Sequence, residues 1–167
     1  MTKFMVVDDE ENIRHGLIHF INSKSLGEVI SAANGAEALE NATRYQPDIV
    51  LLDIVMPGID GLQVVTWLRD LICDVKIIII SGHSDVSFMR KAIKQGCFDY
   101  IIKPVDMSEL DQVLHRAVQD HQNDVATKSK YQDMEKKLKQ SMPVLRRDYL
   151  KELMAGEHQD HQEIESR

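Results

Sequence analysis

The chain contains little cysteine and no long apolar run, and these two features exclude disulfide-rich and membrane-spanning classes of protein. Its 167 residues include two cysteines, Cys73 and Cys97, which are too few and too isolated for a disulfide framework or a thiolate metal site. The longest apolar stretch, 75–80, is interrupted by Lys76 and is far shorter than the roughly 18 residues of a membrane span. No apolar segment precedes a cleavage site near the N-terminus, so we expect no signal peptide. We therefore expect a soluble, reduced protein of the cytoplasm without membrane contact.

Positive charge and glycine-rich loops are also scarce. The 20 Lys and Arg residues are outnumbered by 27 Asp and Glu residues, and the net charge of -7 disfavours a general electrostatic attraction to nucleic acid. No glycine-rich loop follows the first apolar run; Asp8-Asp9-Glu10-Glu11 stands there instead and would repel a pyrophosphate. A nucleotide-binding fold is therefore disfavoured. The 43% of apolar residues suffices for a buried core and excludes wholesale disorder.

Over the first 105 or so residues, short β-branched runs alternate with stretches of helical periodicity. The β-branched runs are apolar throughout, which is typical of strands covered on both faces of a sheet. The intervening stretches place apolar residues three or four positions apart, as in Leu62, Val65 and Leu68. Five such repeats predict an α/β domain with a doubly wound, five-stranded parallel sheet. The predicted strands are Lys3–Val7, Glu28–Ala32, Asp48–Leu52, Lys76–Ile80 and Tyr100–Ile102.

From about residue 119 the composition becomes polar and helix-favouring. Apolar residues recur there at intervals of three, four, seven and four, which is a loose heptad trace, at Tyr131, Met134, Leu138, Leu145 and Tyr149. Pro143 is expected to interrupt or restart the helix. We therefore predict an α/β domain over 1–120 and a C-terminal helical extension over 121–155, which either pairs as a coiled coil or stays solvated without a partner. Residues 156–167 have almost no apolar content and are predicted to be disordered.

Three carboxylates are predicted to meet at one edge of the sheet. Asp8 and Asp9 follow the first strand, and Asp53 follows the third. The carboxyl ends of parallel strands border the ligand crevice where the strand order reverses. We adopt the order 2-1-3-4-5 from known folds of this architecture, and in it the first and third strands flank that crevice. Clustered carboxylates repel one another unless a cation lies among them, and hard oxygen ligands suit Mg²⁺. Separate helix-capping aspartates are the alternative, which fits one such residue better than three.

Two further polar residues follow the same pattern. Ser81 ends the fourth predicted strand and Lys103 follows the fifth, so a hydroxyl and an ammonium group are expected at the acidic edge. A carboxylate oxygen can attack phosphorus to form an acyl phosphate, and an ammonium group with a metal ion can neutralise the transferring phosphoryl group. The pattern therefore predicts a phosphoryl-transfer site.

Together these motifs resemble the receiver domain of bacterial two-component response regulators over roughly residues 2–120. The resemblance implies a flavodoxin-like fold in which Asp53 is the phosphoacceptor, Asp9 a direct Mg²⁺ ligand and Asp8 a ligand bound directly or through water. It also implies that the backbone carbonyl of Val55 binds the metal. The motifs that carry it are Val6-Val7-Asp8-Asp9-Glu10, Leu51-Leu52-Asp53-Ile54-Val55-Met56-Pro57-Gly58-Ile59-Asp60-Gly61, Ile80-Ser81-Gly82 and Tyr100-Ile101-Ile102-Lys103-Pro104.

The same resemblance assigns roles to the remaining polar residues. Ser81 and Tyr100 would form the switch pair, in which the hydroxyl moves towards the phosphoryl group and the ring turns inward. Lys103 would contact the phosphate, and its bond to Pro104 is commonly cis in this family. Val55 has no polar side chain to orient water, so a long-lived acyl phosphate is expected. His83 either shapes access to the site or is an exposed loop residue.

The segment 141–156 is similar to the linker of YesN-type regulators, which carry an AraC-type helix-turn-helix region. Nothing in 119–167 offers two apolar helices with a basic recognition face, so DNA contact is expected only through a C-terminal region absent from this chain. The resemblance implies a signalling switch rather than an enzyme, phosphorylated by a sensor histidine kinase and dimeric when phosphorylated. Two alternatives stay open: a stand-alone regulator that acts by protein contact, and an aspartyl-phosphate phosphohydrolase, which would need a second acid where Val55 stands.

Overall fold

The computed structural model describes residues 1–82 and 86–164, and within that part of the chain five strands alternate with five helices. Apolar β-branched runs form the strands, and the amphipathic stretches between them form the helices. In chain order the elements are β1 (Lys3–Val7), α1 (Glu11–Ser23), β2 (Glu28–Ala32), α2 (Gly35–Tyr45), β3 (Ile49–Leu52), α3 (Gly61–Leu71), β4 (Lys76–Ser81), α4 (Val86–Lys94), β5 (Asp99–Ile102) and α5 (Met107–Ile164).

All strands are parallel, and they lie in the order β2-β1-β3-β4-β5. The predicted doubly wound sheet and its strand order are confirmed. Val7 pairs with Leu52 across β1 and β3, so these two strands end side by side at the point where the order reverses. The residues that follow β1 and β3 are thereby brought to one crevice, as expected for this topology.

Successive strand residues point to opposite faces, so each of the central strands feeds two apolar layers. In β1, Met5 and Val7 pack with buried residues of α2, α3 and α4, whereas Phe4 and Val6 pack with buried residues of α1 and α5. Both faces are covered by helices, which explains why the strands are apolar throughout rather than alternating. The sheet is therefore a rigid platform for the loops at its carboxyl edge.

The opposite, amino-terminal edge of the sheet carries an ion-pair cluster at the start of β4. Lys76 Nζ lies 2.5 Å from Asp120 Oδ2 and 2.7 Å from Asp124 Oδ2. It also lies 6.0 Å from the ring centroid of Phe98, within range of a cation–π interaction. The cluster attaches residues 120–124 of α5 to the sheet.

The C-terminal region is more helical than the sequence predicts. The helix α5 runs through Pro143 without the predicted break and is described as far as Ile164. The predicted disorder of 156–167 stays a prediction, and residues 165–167 lie outside the described residues. A proline removes one helix hydrogen bond, but leucine, lysine, glutamine and arginine on either side of it are good helix formers. No proline or glycine follows Gly156 to stop the helix.

The chain separates into two compact units, Met1–Asp124 and the part from Val125 onward. The first contains the whole sheet, and the second is helical as far as it is described. The domain boundaries drawn from the sequence stay a prediction. In the described ranges, no helix combines the length and the apolar character that crossing a bilayer requires.

Candidate phosphoryl-acceptor site

The candidate site begins where β1 and β3 end. Asp53 donates its backbone N–H to the carbonyl of Val7 at 2.8 Å, and Asp8 donates its own to Ala32 at 3.2 Å. These bonds extend the strand pairing by one residue beyond β1 and β3 and so fix the backbone positions of the two aspartates. Both side chains are almost fully buried, with exposed fractions of 2% for Asp8 and 3% for Asp53. Two carboxylates are thus held away from bulk water at neighbouring strand ends.

Lys103 places its ammonium group between these two carboxylates. Its Nζ lies 2.7 Å from Asp53 Oδ2, 3.0 Å from Asp8 Oδ2 and 3.5 Å from Glu10 Oε1. The backbone N–H of Lys103 donates to the Ser81 carbonyl at 2.8 Å, which continues the pairing of β4 with β5. The Lys103–Pro104 bond is cis, as the sequence resemblance implies. Lys103 therefore shares one ionic cluster with Asp8, which is 95 positions away in the chain, and with Asp53, which is 50 positions away.

Burial and ion pairing act against each other in this cluster. Burial raises the pKa of Asp8, and the hydrogen bond from Lys103 only partly offsets that rise. For Lys103, burial alone would lower the pKa, but the hydrogen bonds to Asp53 and Asp8 outweigh it and the pKa is raised. The lysine therefore stays charged at neutral pH and compensates carboxylates that would otherwise be buried without a counter-ion.

The loop after β3 holds the Asp53 carboxylate in place. Asp53 Oδ1 accepts a hydrogen bond of 2.8 Å from the backbone N–H of Val55, while Oδ2 faces Lys103. The loop itself is tightly packed, since a Cβ atom on Gly61 would lie 2.3 Å from Cα of Ile54. Asp60 begins α3 by accepting a hydrogen bond of 3.0 Å from the Leu62 N–H. One Asp53 oxygen is thus fixed by the backbone and the other faces the cationic centre.

The acidic group that could bind a metal ion differs from the predicted one. Asp8, Glu10 and Asp53 each offer a carboxylate oxygen within 4.8 Å of the others, whereas the side chain of Asp9 is exposed and is not part of this group. These oxygens are the hard ligands that Mg²⁺ prefers, and the burial of two of them favours a cation. The donor set therefore fits the metal. The roles of Asp9 and of the Val55 carbonyl as ligands stay predictions.

Sequence reasoning missed Glu10. It belongs to the same acidic run as Asp8 and Asp9, but it stands at the N-cap of α1 rather than directly at a strand end. Its backbone N–H donates to Asp8 Oδ1 at 2.8 Å, and this turn directs its side chain back towards Lys103. The acidic run was the available signal, but which of its members face the crevice depends on where the helix begins.

Ser81 and Tyr100 lie on the two neighbouring strands at the same edge. Ser81 is fully buried at the end of β4, and Tyr100 in β5 is 7% exposed, so its ring is turned inward. The two side chains share a hydrogen bond. Burial raises the pKa of the Tyr100 hydroxyl, and the negative charge of Asp53 raises it further, whereas the hydrogen bond with Ser81 lowers it. The pair is thus electrostatically coupled to Asp53. His83 lies outside the described residues.

Comparison with known proteins decides the family. The family model described as the response regulator receiver domain matches residues 4–115. The chain belongs to this family. The receiver domain accounts for the sheet, its covering helices and the edge that bears Asp8, Asp53 and Lys103, and response regulators are components of two-component systems.

Individual relatives match different shares of this chain. YesN, an uncharacterized transcriptional regulatory protein of Bacillus subtilis, is 30% identical over 158 residues, which cover 93% of this chain and 43% of YesN. The transcriptional regulatory protein HptR of Staphylococcus aureus is 35% identical over 120 residues, covering 71% of this chain and 47% of HptR. The structure of a two component transcriptional regulator AraC from Clostridium phytofermentans is 32% identical with a TM-score of 0.66, covering 76% of this chain and 99% of that one. This chain therefore spans less than half the length of the curated relatives it resembles.

Proposed function

We propose that this receiver domain accepts a phosphoryl group on Asp53 from a sensor histidine kinase in a reaction that requires Mg²⁺. The observation that supports this most strongly is the position of Lys103 Nζ, 2.7 Å from the Asp53 carboxylate and 3.0 Å from Asp8. An ammonium group in this place neutralises anionic charge that arrives at Asp53. The domain then works as a signalling switch rather than as an enzyme that turns over a substrate.

In the proposed step, a carboxylate oxygen of Asp53 forms a bond to phosphorus while the bond between phosphorus and the donor nitrogen breaks. The donor histidine leaves with the electron pair of that bond and takes a proton from solvent. Lys103 shifts from the carboxylate to the incoming phosphoryl oxygens, and Ser81 donates a hydrogen bond to one of them. Asp8, Asp53 and Glu10, with the proposed ligands Asp9 and the Val55 carbonyl, would hold Mg²⁺, which supplies further positive charge to the transferring group.

The switch is proposed to run through Ser81 and Tyr100. The Ser81 hydroxyl would donate a hydrogen bond to a phosphoryl oxygen and accept one from the Tyr100 hydroxyl, which would hold the ring in its inward position. This would alter the surface formed by α4, β5 and the first part of α5. The exposed apolar side chains there, Val86, Ile93 and Ile102, are suited to protein contact.

The output is proposed to be control of transcription by a homodimer. Relatives such as HptR are transcriptional regulatory proteins, and this chain covers less than half of them. DNA contact is therefore assigned to a C-terminal region outside this sequence. The alternative is a regulator that acts through protein contact alone, and the length of the complete reading frame distinguishes the two.

Intact-mass spectrometry after incubation with acetyl phosphate and Mg²⁺ tests the acceptor. The wild type is expected to gain one phosphoryl group, and Asp53→Ala and a chelator-treated sample are expected to gain none. Asp70→Asn, which removes an exposed carboxylate on α3, is the matched control and should react like the wild type. A beryllofluoride complex that forms when no adduct is seen would indicate a short-lived acyl phosphate. An adduct that persists in Asp53→Ala would overturn the assignment.

A further inference from the structure

One of the three carboxylates around Lys103 differs from the other two in distance and in burial. The Lys103 ammonium group lies 2.7 Å from Asp53 and 3.0 Å from Asp8. Its distance to Glu10 Oε1 is 3.5 Å, at the long limit of a hydrogen bond. The two aspartates are almost fully buried, whereas the side chain of Glu10 is 62% exposed. Glu10 is therefore the acid of the three that can move without opening the protein interior.

The position of Glu10 in the chain leaves its carboxylate available to Lys103. Glu10 is the N-cap residue of α1, where serine, threonine, asparagine and aspartate usually accept a hydrogen bond from the helix. The Glu10 side chain makes no such bond. Its backbone N–H donates to Asp8 Oδ1 at 2.8 Å, and the carboxylate faces the ammonium group. A glutamate at this position thus serves the lysine rather than the helix.

Lys103 and a metal ion would need the same carboxylate oxygens. In both Asp8 and Asp53, Oδ1 accepts a backbone hydrogen bond and Oδ2 faces the lysine. Mg²⁺ binds its oxygen ligands at about 2.1 Å, so an ammonium group left in place would lie within about 5 Å of a divalent charge. Positive charges at that distance repel each other strongly in a site shielded from water. Occupancy of these oxygens by Mg²⁺ therefore favours a lysine that has moved away from the two aspartates.

A displaced ammonium group needs another partner. The Lys103 side chain is only 15% exposed, and a charge that loses its counter-ions in such a place is costly. Among the residues that the structure describes, Glu10 offers the only other carboxylate that forms an ion pair with Nζ. Because its side chain is largely exposed, Glu10 can approach the ammonium group further.

We infer that Glu10 is a positioning residue for Lys103, which takes over the ammonium group when Mg²⁺ occupies the oxygens of Asp8 and Asp53 and so strengthens metal binding. The inference rests on the proposed Mg²⁺-dependent acceptor and deepens it, since it connects the metal with the lysine of the same site. When a phosphoryl group arrives, the ammonium group moves on from Glu10 to the phosphoryl oxygens.

A double-mutant cycle on the affinity for Mg²⁺ tests the inference. Titration of the full chain with Mg²⁺, followed by NMR of the backbone amides, gives Kd for the wild type, Glu10→Gln, Lys103→Met and the double variant. Glu10→Gln should raise Kd about tenfold when Lys103 is present but less than about threefold in Lys103→Met, where no ammonium group needs a partner. A carboxylate that acted only as a metal ligand would lose the same factor in both backgrounds.

The matched control is Glu11→Gln. Glu11 is the next acid in the chain and is 72% exposed, and its carboxylate faces His15 rather than Lys103. Removing its charge should change Kd for Mg²⁺ less than about twofold, because an exposed charge acts only weakly at a distance. A loss as large as that of Glu10→Gln would mean that any acid of this run has the same effect, which would contradict the inference.

Glu10→Asp gives a second test that leaves Lys103 unchanged and does not depend on the folding of Lys103→Met. Aspartate keeps the charge, but it is one methylene shorter and is a strong N-cap residue, so its carboxylate should bond to the helix instead of Lys103. We expect Glu10→Asp to weaken Mg²⁺ binding about as much as Glu10→Gln. The Mg²⁺ concentration that gives half the maximal rate of phosphorylation by acetyl phosphate should rise by the same factor.

A crystal structure of the Mg²⁺-loaded chain would show the contact directly, with Glu10 Oε1 about 2.8 Å from Nζ. Equal losses in the two backgrounds, wild-type affinity in Glu10→Asp, or a loaded structure in which Lys103 still bridges the two aspartates would each overturn the inference. Intact-mass measurement of the same samples keeps the two proposals apart. If the wild type gains a phosphoryl group only with Mg²⁺, such a result removes the role of Glu10 and leaves the acceptor; without metal binding or an adduct, both are wrong.

Discussion

The two edges of the sheet each carry a lysine held by two carboxylates, yet the two clusters differ in character. At the carboxyl edge, Lys103 lies between Asp53 and Asp8; at the amino edge, Lys76 lies between Asp120 and Asp124. The lysines are similarly buried, with side-chain exposures of 15% and 14%. The residue types and distances alone do not distinguish a reactive site from a structural ion pair.

The burial of the acids makes the difference. Asp8 and Asp53 are 2% and 3% exposed and directly follow two different strands, β1 and β3. Asp120 and Asp124 are 50% and 41% exposed and lie one turn apart on α5. Buried carboxylates depend on a counter-ion and are stabilised by any further cation. Exposed carboxylates are hydrated with or without Lys76, so that cluster contributes little beyond attaching the helix.

The largest expected difference between the edges comes from removing each lysine. Lys103→Met leaves two buried carboxylates without their cation and should lower the free energy of unfolding at pH 7 by about 3 kcal/mol, while Lys76→Met should lower it by about 1 kcal/mol or less. Urea denaturation of the two variants measures both values. Equal losses would remove the distinction between the two clusters.

Magnesium should act on one edge only. At a concentration about 100 times its dissociation constant, Mg²⁺ should stabilise the wild type by about 2.7 kcal/mol by mass action. Asp53→Asn should lose most of this gain because it removes a buried ligand charge, and Asp124→Asn should retain it. Thermal melts with and without Mg²⁺ measure the effect, and a gain that survives in Asp53→Asn would refute the proposed metal site.

The pH dependence of stability should sharpen the contrast further. The pKa of Asp8 is raised above its ordinary value of 3.8 by burial, so the folded state holds this proton more tightly than the unfolded chain. The protonated Asp8 therefore contributes to the free energy of unfolding below pH 3.8, and this contribution is lost as the pH rises through the raised pKa of the folded state. Asp8→Asn should lack this loss, since an amide does not titrate. A difference of one between the folded and unfolded pKa corresponds to about 1.4 kcal/mol of stability.

Urea titrations between pH 3 and 7 test this, with Asp70→Asn as the control that should follow the wild type. If Asp8→Asn shows the same pH profile as the wild type, the pKa of Asp8 is not raised by burial as proposed.

The smallest expected effect is at the amino edge. Lys76→Gln should speed hydrogen exchange of amides around 120–124 in α5, because the ion pairs that attach this segment are lost. Phosphorylation by acetyl phosphate should be unchanged. A reduced adduct in Lys76→Gln would show that the amino edge influences the acceptor site, which the contrast between the edges does not predict.

Much of the carboxyl edge could be predicted from the sequence because its polar residues stand directly after apolar strands. Buried parallel strands are apolar throughout, so the first polar residue after each one, such as Asp8, Asp53 or Lys103, is conspicuous. Their convergence then follows from the strand order, which was adopted from known folds of this architecture and which the structure confirms.

The remaining features depend on tertiary placement or on competing local preferences. The cluster around Lys76 forms because residues 120–124 of α5 pass the start of β4, which lies 44 residues or more away in sequence, and no local pattern indicates that encounter. Glu10 joins the site because of the turn that begins α1. The helix through Pro143 shows that one unfavourable residue was outweighed by the good helix formers around it.

Localisation of the phosphoryl group tests the central claim most directly. Borohydride reduction of the acetyl-phosphate-treated chain converts an acyl phosphate to homoserine, and peptide mass spectrometry then identifies the modified position. We expect homoserine at residue 53 alone, formed only when Mg²⁺ is present. Homoserine at residue 8, or formation at residue 53 that is unaffected by a chelator, would contradict it.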